Sequence, residues 1–220
     1  MDLGALFLSL EIAFLATILA TLVGVAAAAL LANVRFFGRD LLDALFTAPI
    51  VMPPTVLGYY VIVVLGRRST LGSAFESLTG TSIVFTFTGA VLAAVIGALP
   101  LVVKSVRTAL EETDPTLVLA ARTLGATPLR ALFTIQLPLA ARGIVAAAML
   151  AFARSLGDFG LTWVIGGNIR GQTHTAAIEI YDAIQARREG DAAMLALVLT
   201  GIAIGVLYAV NKLTAKEPRS

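Results

Sequence analysis

Long apolar runs alternate with shorter polar segments along the chain, and this alternation predicts a set of membrane-spanning helices. A helix that crosses a bilayer needs about 20 mostly apolar residues. Five stretches meet that length: residues 6–32, 41–65, 83–103, 143–165 and 192–210. Since lipid offers no partner to an unpaired backbone group, we expect all five to be helices and the fold class to be all-α integral membrane.

The longest polar connection, residues 104–142, joins the third and fourth stretches and predicts two short helices. Each helix has an N-cap residue followed by a proline at its first position. The two pairs are Asp114-Pro115 and Thr127-Pro128. Gly125 is placed to end the first helix in a left-handed turn, and we expect Pro138 to end the second.

The first of these short helices has a shallow apolar face. Its members, at the i, i+3, i+4 and i+7 spacing of one helix side, are Leu117, Ala120, Ala121 and Leu124. Such a face on a capped loop suits docking in a groove of another protein. It suits equally well a helix that lies on the membrane surface.

The composition agrees with a bilayer environment. Hydrophobic residues make up 58% of the chain and charged residues 14%, with a mean hydropathy of +0.91, whereas soluble domains carry about 25% charged residues. The chain has no cysteine, which excludes disulfides and thiolate metal sites. No basic stretch with interleaved aromatic residues predicts nucleic-acid binding.

Catalytic motifs are absent from the sequence. There is no H-E-x-x-H, no G-x-S-x-G and no nucleotide-binding P-loop. The single histidine, His174, falls in a polar segment, where we expect it to be solvated. We therefore expect neither catalysis nor a bound cofactor or metal in this chain.

The distribution of lysine and arginine predicts the orientation. If the N-terminus is outside, the cytoplasmic connections hold Arg35, Arg39, Lys104, Arg107, Arg122, Arg130, Arg142, Lys212, Lys216 and Arg219. The outer connections then hold only Arg67, Arg68, Arg170, Arg187 and Arg188. The positive-inside rule therefore favours an outer N-terminus and a cytoplasmic C-terminus. Residues 168–191 would lie outside, with an amphipathic helix over about 176–186 that either caps a pore or forms part of a solvated loop.

Prolines and charges inside the predicted spans mark candidate functional positions. Pro49, Pro53 and Pro54 predict a bent second span, which would be either pore-lining or an ordinary packing kink. Arg154 and Asp158 are four residues apart in the fourth span, so we expect them on one helix face. Because charges in a membrane usually face the bundle interior or a wet cavity, the pair is either a gate or latch, or a structural pair that fixes helix packing.

The polar connection resembles the signature cytoplasmic loop of bacterial ABC importer permeases. That signature is Glu-Ala-Ala, three residues, glycine, nine residues and Ile-x-Leu-Pro. The matching residues are Ala120, Ala121, Gly125, Ile135, Leu137 and Pro138, and Leu119 stands where the family often has glutamate. The resemblance implies that these positions form a coupling helix and its support, which seat in a separate ATPase subunit.

Further segments resemble the molybdate permeases of that family. They are residues 49–59, 66–68, 151–160, 168–173 and 180–185, and Asp158 occupies a position where those permeases commonly have glutamate. The resemblance implies a type I importer permease fold with five transmembrane helices, formed by residues 1–220 as one transmembrane domain. It implies a bacterial inner-membrane location and three protein partners: a second copy of the chain, a cytoplasmic ATP-binding subunit and an extracytoplasmic oxyanion-binding protein.

The cargo and the energy source have alternatives. The resemblance implies an ATP-driven importer of molybdate, but sulfate and tungstate permeases share parts of the same pattern, so the alternative cargo is tungstate, sulfate or thiosulfate. A secondary transporter without an ATPase would be a different class, but no inverted repeat is evident in the sequence and few ionisable groups lie in the spans. A structural membrane scaffold would leave the signature loop without a purpose.

Overall fold

The computed structural model describes residues 3–214, and every regular element in that range is helical. In chain order the helices are α1 (Leu3–Asn33), α2 (Arg39–Val51), α3 (Pro54–Leu65), α4 (Thr70–Thr79), α5 (Phe87–Glu111), α6 (Pro115–Thr123), α7 (Pro128–Ala131), α8 (Leu137–Leu139), α9 (Ala141–Leu156), α10 (Ala176–Gln185) and α11 (Glu189–Thr214). Two π-helical turns span Leu132–Gln136 and Thr162–Gly166. Lys216 and Arg219, which count toward the predicted cytoplasmic charge, lie outside the described residues.

The core is formed where α1, α5 and α9 pack together, and it is built largely from alanine and valine. The buried cluster consists of Ala20, Ala28, Ala29, Ala98, Val102, Val106, Leu110, Ala140, Ala147 and Ala151. A Cβ atom on Gly24 would lie 2.5 Å from Val102 Cγ1, and one on Gly143 would lie 2.5 Å from Ala109 Cβ. These glycines therefore let the helix backbones approach closely, as small residues do between membrane helices.

The structure confirms the all-helical class and leaves the count of five spans a prediction. Within residues 3–214, α1, α5 and α11 are long and apolar enough to cross a membrane. The pair Pro128–Leu139 and Ala141–Leu156, bent by 71°, gives a fourth candidate if it is taken as one span. The third predicted stretch begins as a helix at Phe87 rather than at 83, because Thr86 caps α5 by accepting a hydrogen bond from Gly89 N.

The second predicted stretch, 41–65, is two helices rather than one. α2 ends at Val51, Met52 and Pro53 have extended backbone angles, and α3 begins at Pro54. Proline has no N–H and disfavours helix in the residue before it, so two successive prolines end one helix and begin another. Pro49, by contrast, is accommodated inside α2.

Two features of the helices, one in α4 and one in α11, were not expected from the apolar runs. α4 is too polar to appear as a span, yet it is well defined by Ser69, which caps its start, and by Gly80, which ends it at φ 73°. Gly201 and Gly205 of α11 form a G-x-x-x-G motif, a spacing that predicts close helix packing, most simply within the chain. That prediction is wrong for residues 3–214, since none of their atoms outside the backbone of α11 itself lies within 4 Å of a Cβ built on either glycine.

Candidate functional site: a capped loop and an ion pair

The predicted loop 104–142 contains the two capped helices that its sequence indicates. Asp114 Oδ1 accepts hydrogen bonds from Thr116 N at 2.9 Å and from Thr116 Oγ1 at 2.7 Å, and these bonds lower the pKa of Asp114. Thr127 Oγ1 accepts from Arg130 N at 3.3 Å. Both predicted N-caps are therefore confirmed.

Gly125 ends α6 as predicted. Its φ is +89°, in the left-handed region that favours glycine. Gly125 N donates to Arg122 O at 3.1 Å and Ala126 N to Ala121 O at 3.0 Å, the bond pair of a Schellman motif. The turn therefore fixes the direction in which the chain leaves α6.

The predicted end of the second loop helix at Pro138 is wrong. α7, the π-helical turn Leu132–Gln136 and α8 form one continuous segment that reaches Leu139. Leu137 N donates to Leu132 O, and this wider turn accommodates the following proline without ending the segment. The chain bends at Ala140 instead, by 71°, before α9 begins.

The loop helices leave large apolar side chains uncovered. Leu117, Leu119, Leu124, Leu129 and Phe133 are all exposed, Leu124 to 89%. Among the other residues that match the signature, Ala120, Gly125 and Pro138 are exposed, whereas Ala121, Ile135 and Leu137 are half-buried. The half-buried residues support the loop from within, and the exposed ones form an apolar surface that no described part of the chain covers.

Arg154 and Asp158 form the ion pair that their spacing predicts, but they do not share a helix. α9 ends at Leu156, so Arg154 lies in its last turn and Asp158 lies in the break that follows. Arg154 Nη1 donates to Asp158 Oδ1 at 2.9 Å. Asp158 Oδ2 accepts from Thr162 N and Thr162 Oγ1, each at 2.9 Å, so the aspartate supports the start of the next helical segment.

The break at Asp158 lies beside the break at Pro53. A Cβ on Gly160 would lie 2.7 Å from Pro54 Cβ, and one on Gly58 would lie 2.4 Å from Val164 Cγ1. The start of α3 therefore packs directly against the chain that resumes after Asp158. The two candidate sites inside the spans, one of prolines and one of charges, form a single region.

A buried charge network in the segment 168–191 was missed, because His174 was expected to be solvated. His174 is 2% exposed. Its Nε2 lies 2.7 Å from Glu179 Oε2, and Glu179 Oε1 accepts from Arg188 Nη2 at 3.1 Å. That bond raises the pKa of Arg188, which keeps its charge. On the other side of the imidazole, Asn168 Oδ1 contacts Nδ1.

This network holds the predicted amphipathic helix, which is confirmed as α10, against the bundle. Ala176 N, at the first residue of α10, donates to Ser9 Oγ of α1 at 2.7 Å. Glu179 lies on the buried face of α10 at 2% exposure. A carboxylate on the apolar side of a predicted helix, five residues after the only histidine, was the signal that could have revealed the pair.

Comparison with known proteins gives the chain a family. The family model described as "Binding-protein-dependent transport system inner membrane component" matches residues 12–211. The "Molybdenum transport system permease protein ModB" of Escherichia coli (strain K12) is 42% identical over 201 residues, which cover 91% of this chain and 88% of that protein. "Sulfate permease 2, chloroplastic" of Chlamydomonas reinhardtii is 33% identical over 96% of this chain and 57% of that protein.

Solved structures agree on the fold. A chain of the MetNI methionine ABC transporter, in inward-facing conformations, superposes with a TM-score of 0.70 at 19% identity, covering 96% of this chain and 95% of that one. A chain of a bacterial alginate ABC transporter, in complex with an alginate-bound periplasmic protein, gives 0.73 at 14% identity, covering 96% and 77%. With this type I importer permease fold and the match over residues 12–211, the chain belongs to the family of binding-protein-dependent transport system inner membrane components.

Proposed function

We propose that this chain is the membrane-spanning permease subunit of an ATP-driven importer of molybdate. The observation that carries the proposal is the exposed, doubly capped loop with the importer signature, in a chain 42% identical to a molybdenum permease over 91% of its length. Rigid caps present an apolar surface that nothing in residues 3–214 covers, which is what a docking element for another subunit requires.

The partner that docks on this loop is a separate cytoplasmic ATP-binding subunit. Its contacts are the seven positions Leu119, Ala120, Ala121, Gly125, Ile135, Leu137 and Pro138, some directly and some as support. The permease hydrolyses no ATP itself, since its sequence has no P-loop. Closure of two ATPase subunits around ATP would pull on the loops and alternate the access of the transport path.

The transport path forms between two copies of the chain. Irregular backbone is tolerated at membrane depth only where protein covers it or water fills a cavity. Pro53, Pro54, Arg154 and Asp158 lie at such breaks, so they line the path or its gate. An extracytoplasmic oxyanion-binding protein delivers the cargo to the outer side, where the N-terminus lies, and the C-terminus is cytoplasmic.

Uptake of labelled molybdate by proteoliposomes tests this function. The vesicles hold the permease, its ATPase and its binding protein, with tungstate and sulfate as competitors. ATP-dependent uptake that tungstate inhibits and sulfate does not is the expected result. Uptake without ATP would instead identify a secondary transporter.

Sulfate is the second candidate cargo, because the chain is 33% identical to a chloroplast sulfate permease over 96% of its length. The same vesicles separate the two cargoes. Inhibition by sulfate at concentrations similar to molybdate, together with uptake of labelled sulfate, would replace molybdate by sulfate and leave the architecture unchanged.

A further inference from the structure

Arg154 uses only a small part of its hydrogen-bonding capacity. A guanidinium group has five N–H donors, and within residues 3–214 the only hydrogen bond of the Arg154 side chain is the one from Nη1 to Asp158 Oδ1. Asp158 is saturated by comparison, since Thr162 supplies two more donors to its other oxygen. The carboxylate side chain is 3% exposed, whereas the arginine side chain is 40% exposed.

The exposed side of Arg154 cannot face lipid at low cost. A charged side chain in the hydrocarbon region is expensive, and such groups face a bundle interior or water. Nearby backbone supports the same conclusion, since Gly157, which follows the last turn of α9, is exposed and not helical. Irregular backbone at membrane depth is tolerated only where protein covers it or water fills a cavity.

Helix α5 passes beside the guanidinium at a glycine. Gly97 faces it, and a Cβ built on Gly97 would lie 3.5 Å from Arg154 Nη2. No side chain from this position therefore competes for the free N–H groups. The result is a cation that Asp158 anchors through Nη1 and whose side chain stays 40% exposed.

We propose that Arg154 binds the tetrahedral oxyanion during its passage, through the N–H groups that Asp158 leaves free, and that Asp158 is the positioning residue. This inference rests on the proposed function and names the cargo contact in its path. The planar fork of arginine matches two oxygens of an oxyanion at once, which a lysine ammonium does not. The aspartate offsets the positive charge, so the anion is held weakly enough to leave again, as conduction requires.

Charge-conserving substitutions in the reconstituted complex test the contact. Arg154→Lys keeps the charge and loses the fork, and Arg35→Lys is the matched control, since Arg35 is exposed and lies outside both candidate sites. We expect the rate of ATP-driven molybdate uptake to fall about tenfold for Arg154→Lys, the loss of one charge-assisted hydrogen bond, and to stay at the wild-type rate for Arg35→Lys.

The double variant Arg154→Gln with Asp158→Asn removes both charges together and leaves no unpaired carboxylate. It should lose uptake while still assembling with the ATPase.

A second measurement does not depend on transport. Phenylglyoxal modifies accessible arginines, and peptide mass analysis of the purified permease–ATPase complex reports modification at Arg154 and Arg35 separately. Molybdate or tungstate should slow modification at Arg154 only.

Wild-type uptake by both Arg154 variants, or equal modification of Arg154 with and without oxyanion, would overturn this inference and leave the proposed importer function intact. Absence of any oxyanion uptake by the intact wild-type complex would overturn the proposed function and this inference with it.

Discussion

Single polar side chains in residues 168–191 stabilise a connection that hydropathy alone would not predict to be ordered. His174 and Glu179 are each 2% exposed, and Glu179 contacts both His174 and Arg188. Burying a carboxylate is costly unless it is paired and hydrogen-bonded, and here each oxygen has its own partner. The pair therefore fixes residues 168–175 onto α10.

Glu179→Ala should destabilise the purified permease, because it removes the carboxylate that both His174 and Arg188 contact. Breaking a buried pair by removing one partner costs about 3 kcal/mol or more. The thermal unfolding midpoint in detergent measures the loss, and Glu189→Ala, at an exposed position at the start of α11, is the control. Equal midpoints for the two variants would mean that the network contributes nothing to stability.

The sequence predicts correctly the roles of those residues whose hydrogen bonds are made to near neighbours in the chain. Asp114 caps a helix through Thr116, two residues away, and Gly125 makes its bonds within five residues, so a short pattern suffices. His174 pairs with Asn168 and Glu179, and its burial depends on how α10 packs onto α1. The adjacent sequence does not determine that packing, and its one local sign is the carboxylate of Glu179 on the apolar side of α10, so the burial of His174 was missed.

At the scale of elements, the apolar runs located the helices but not their interruptions. Stretch 143–165 is apolar enough to predict one span, yet its helix is interrupted at Gly157 and Asp158. The aspartate hydrogen-bonds the start of the next segment, which compensates for the lost helix bonds. At Pro138 the error was the opposite one, a predicted helix end that is not there, because the preceding π-helical turn accommodates a residue that usually ends a helix.

Gly125→Asp should weaken docking of the ATPase subunit and leave the membrane bundle folded. A side chain at φ +89° strains the turn and changes the direction of the exposed loop, but no atom of the bundle lies within 4 Å of the new Cβ. Gly80→Asp is the matched control, because Gly80 ends α4 at φ +73° and also has no atom within 4 Å. Pull-down of the ATPase by detergent-solubilised permease should fall for Gly125→Asp only, and equal recovery for both variants would contradict a docking role for the loop.

For the molecule as a whole, α1 separates the two polar regions. Near its start, Ser9 bonds the first residue of α10. Near its end, Leu30 and Val34 line a cavity of about 440 Å³ together with Val118 and Phe133 of the loop 104–142. A helix of 31 residues is about 46 Å long, more than the thickness of the hydrocarbon core. The loop 104–142 and the segment 168–191 therefore lie at opposite ends of the bundle, as their places between successive predicted spans require.

Which end faces the cytoplasm rests on the charge count, and a cysteine-free chain makes it measurable. Ser77→Cys places a thiol at an exposed position of α4, and Thr123→Cys places one at an exposed position of α6. If the N-terminus is outside, a membrane-impermeant maleimide added to spheroplasts should label Ser77→Cys and reach Thr123→Cys only after the membrane is permeabilised. The reverse pattern would put the signature loop outside, where no cytoplasmic ATPase could reach it, and would contradict the proposed coupling together with the positive-inside prediction.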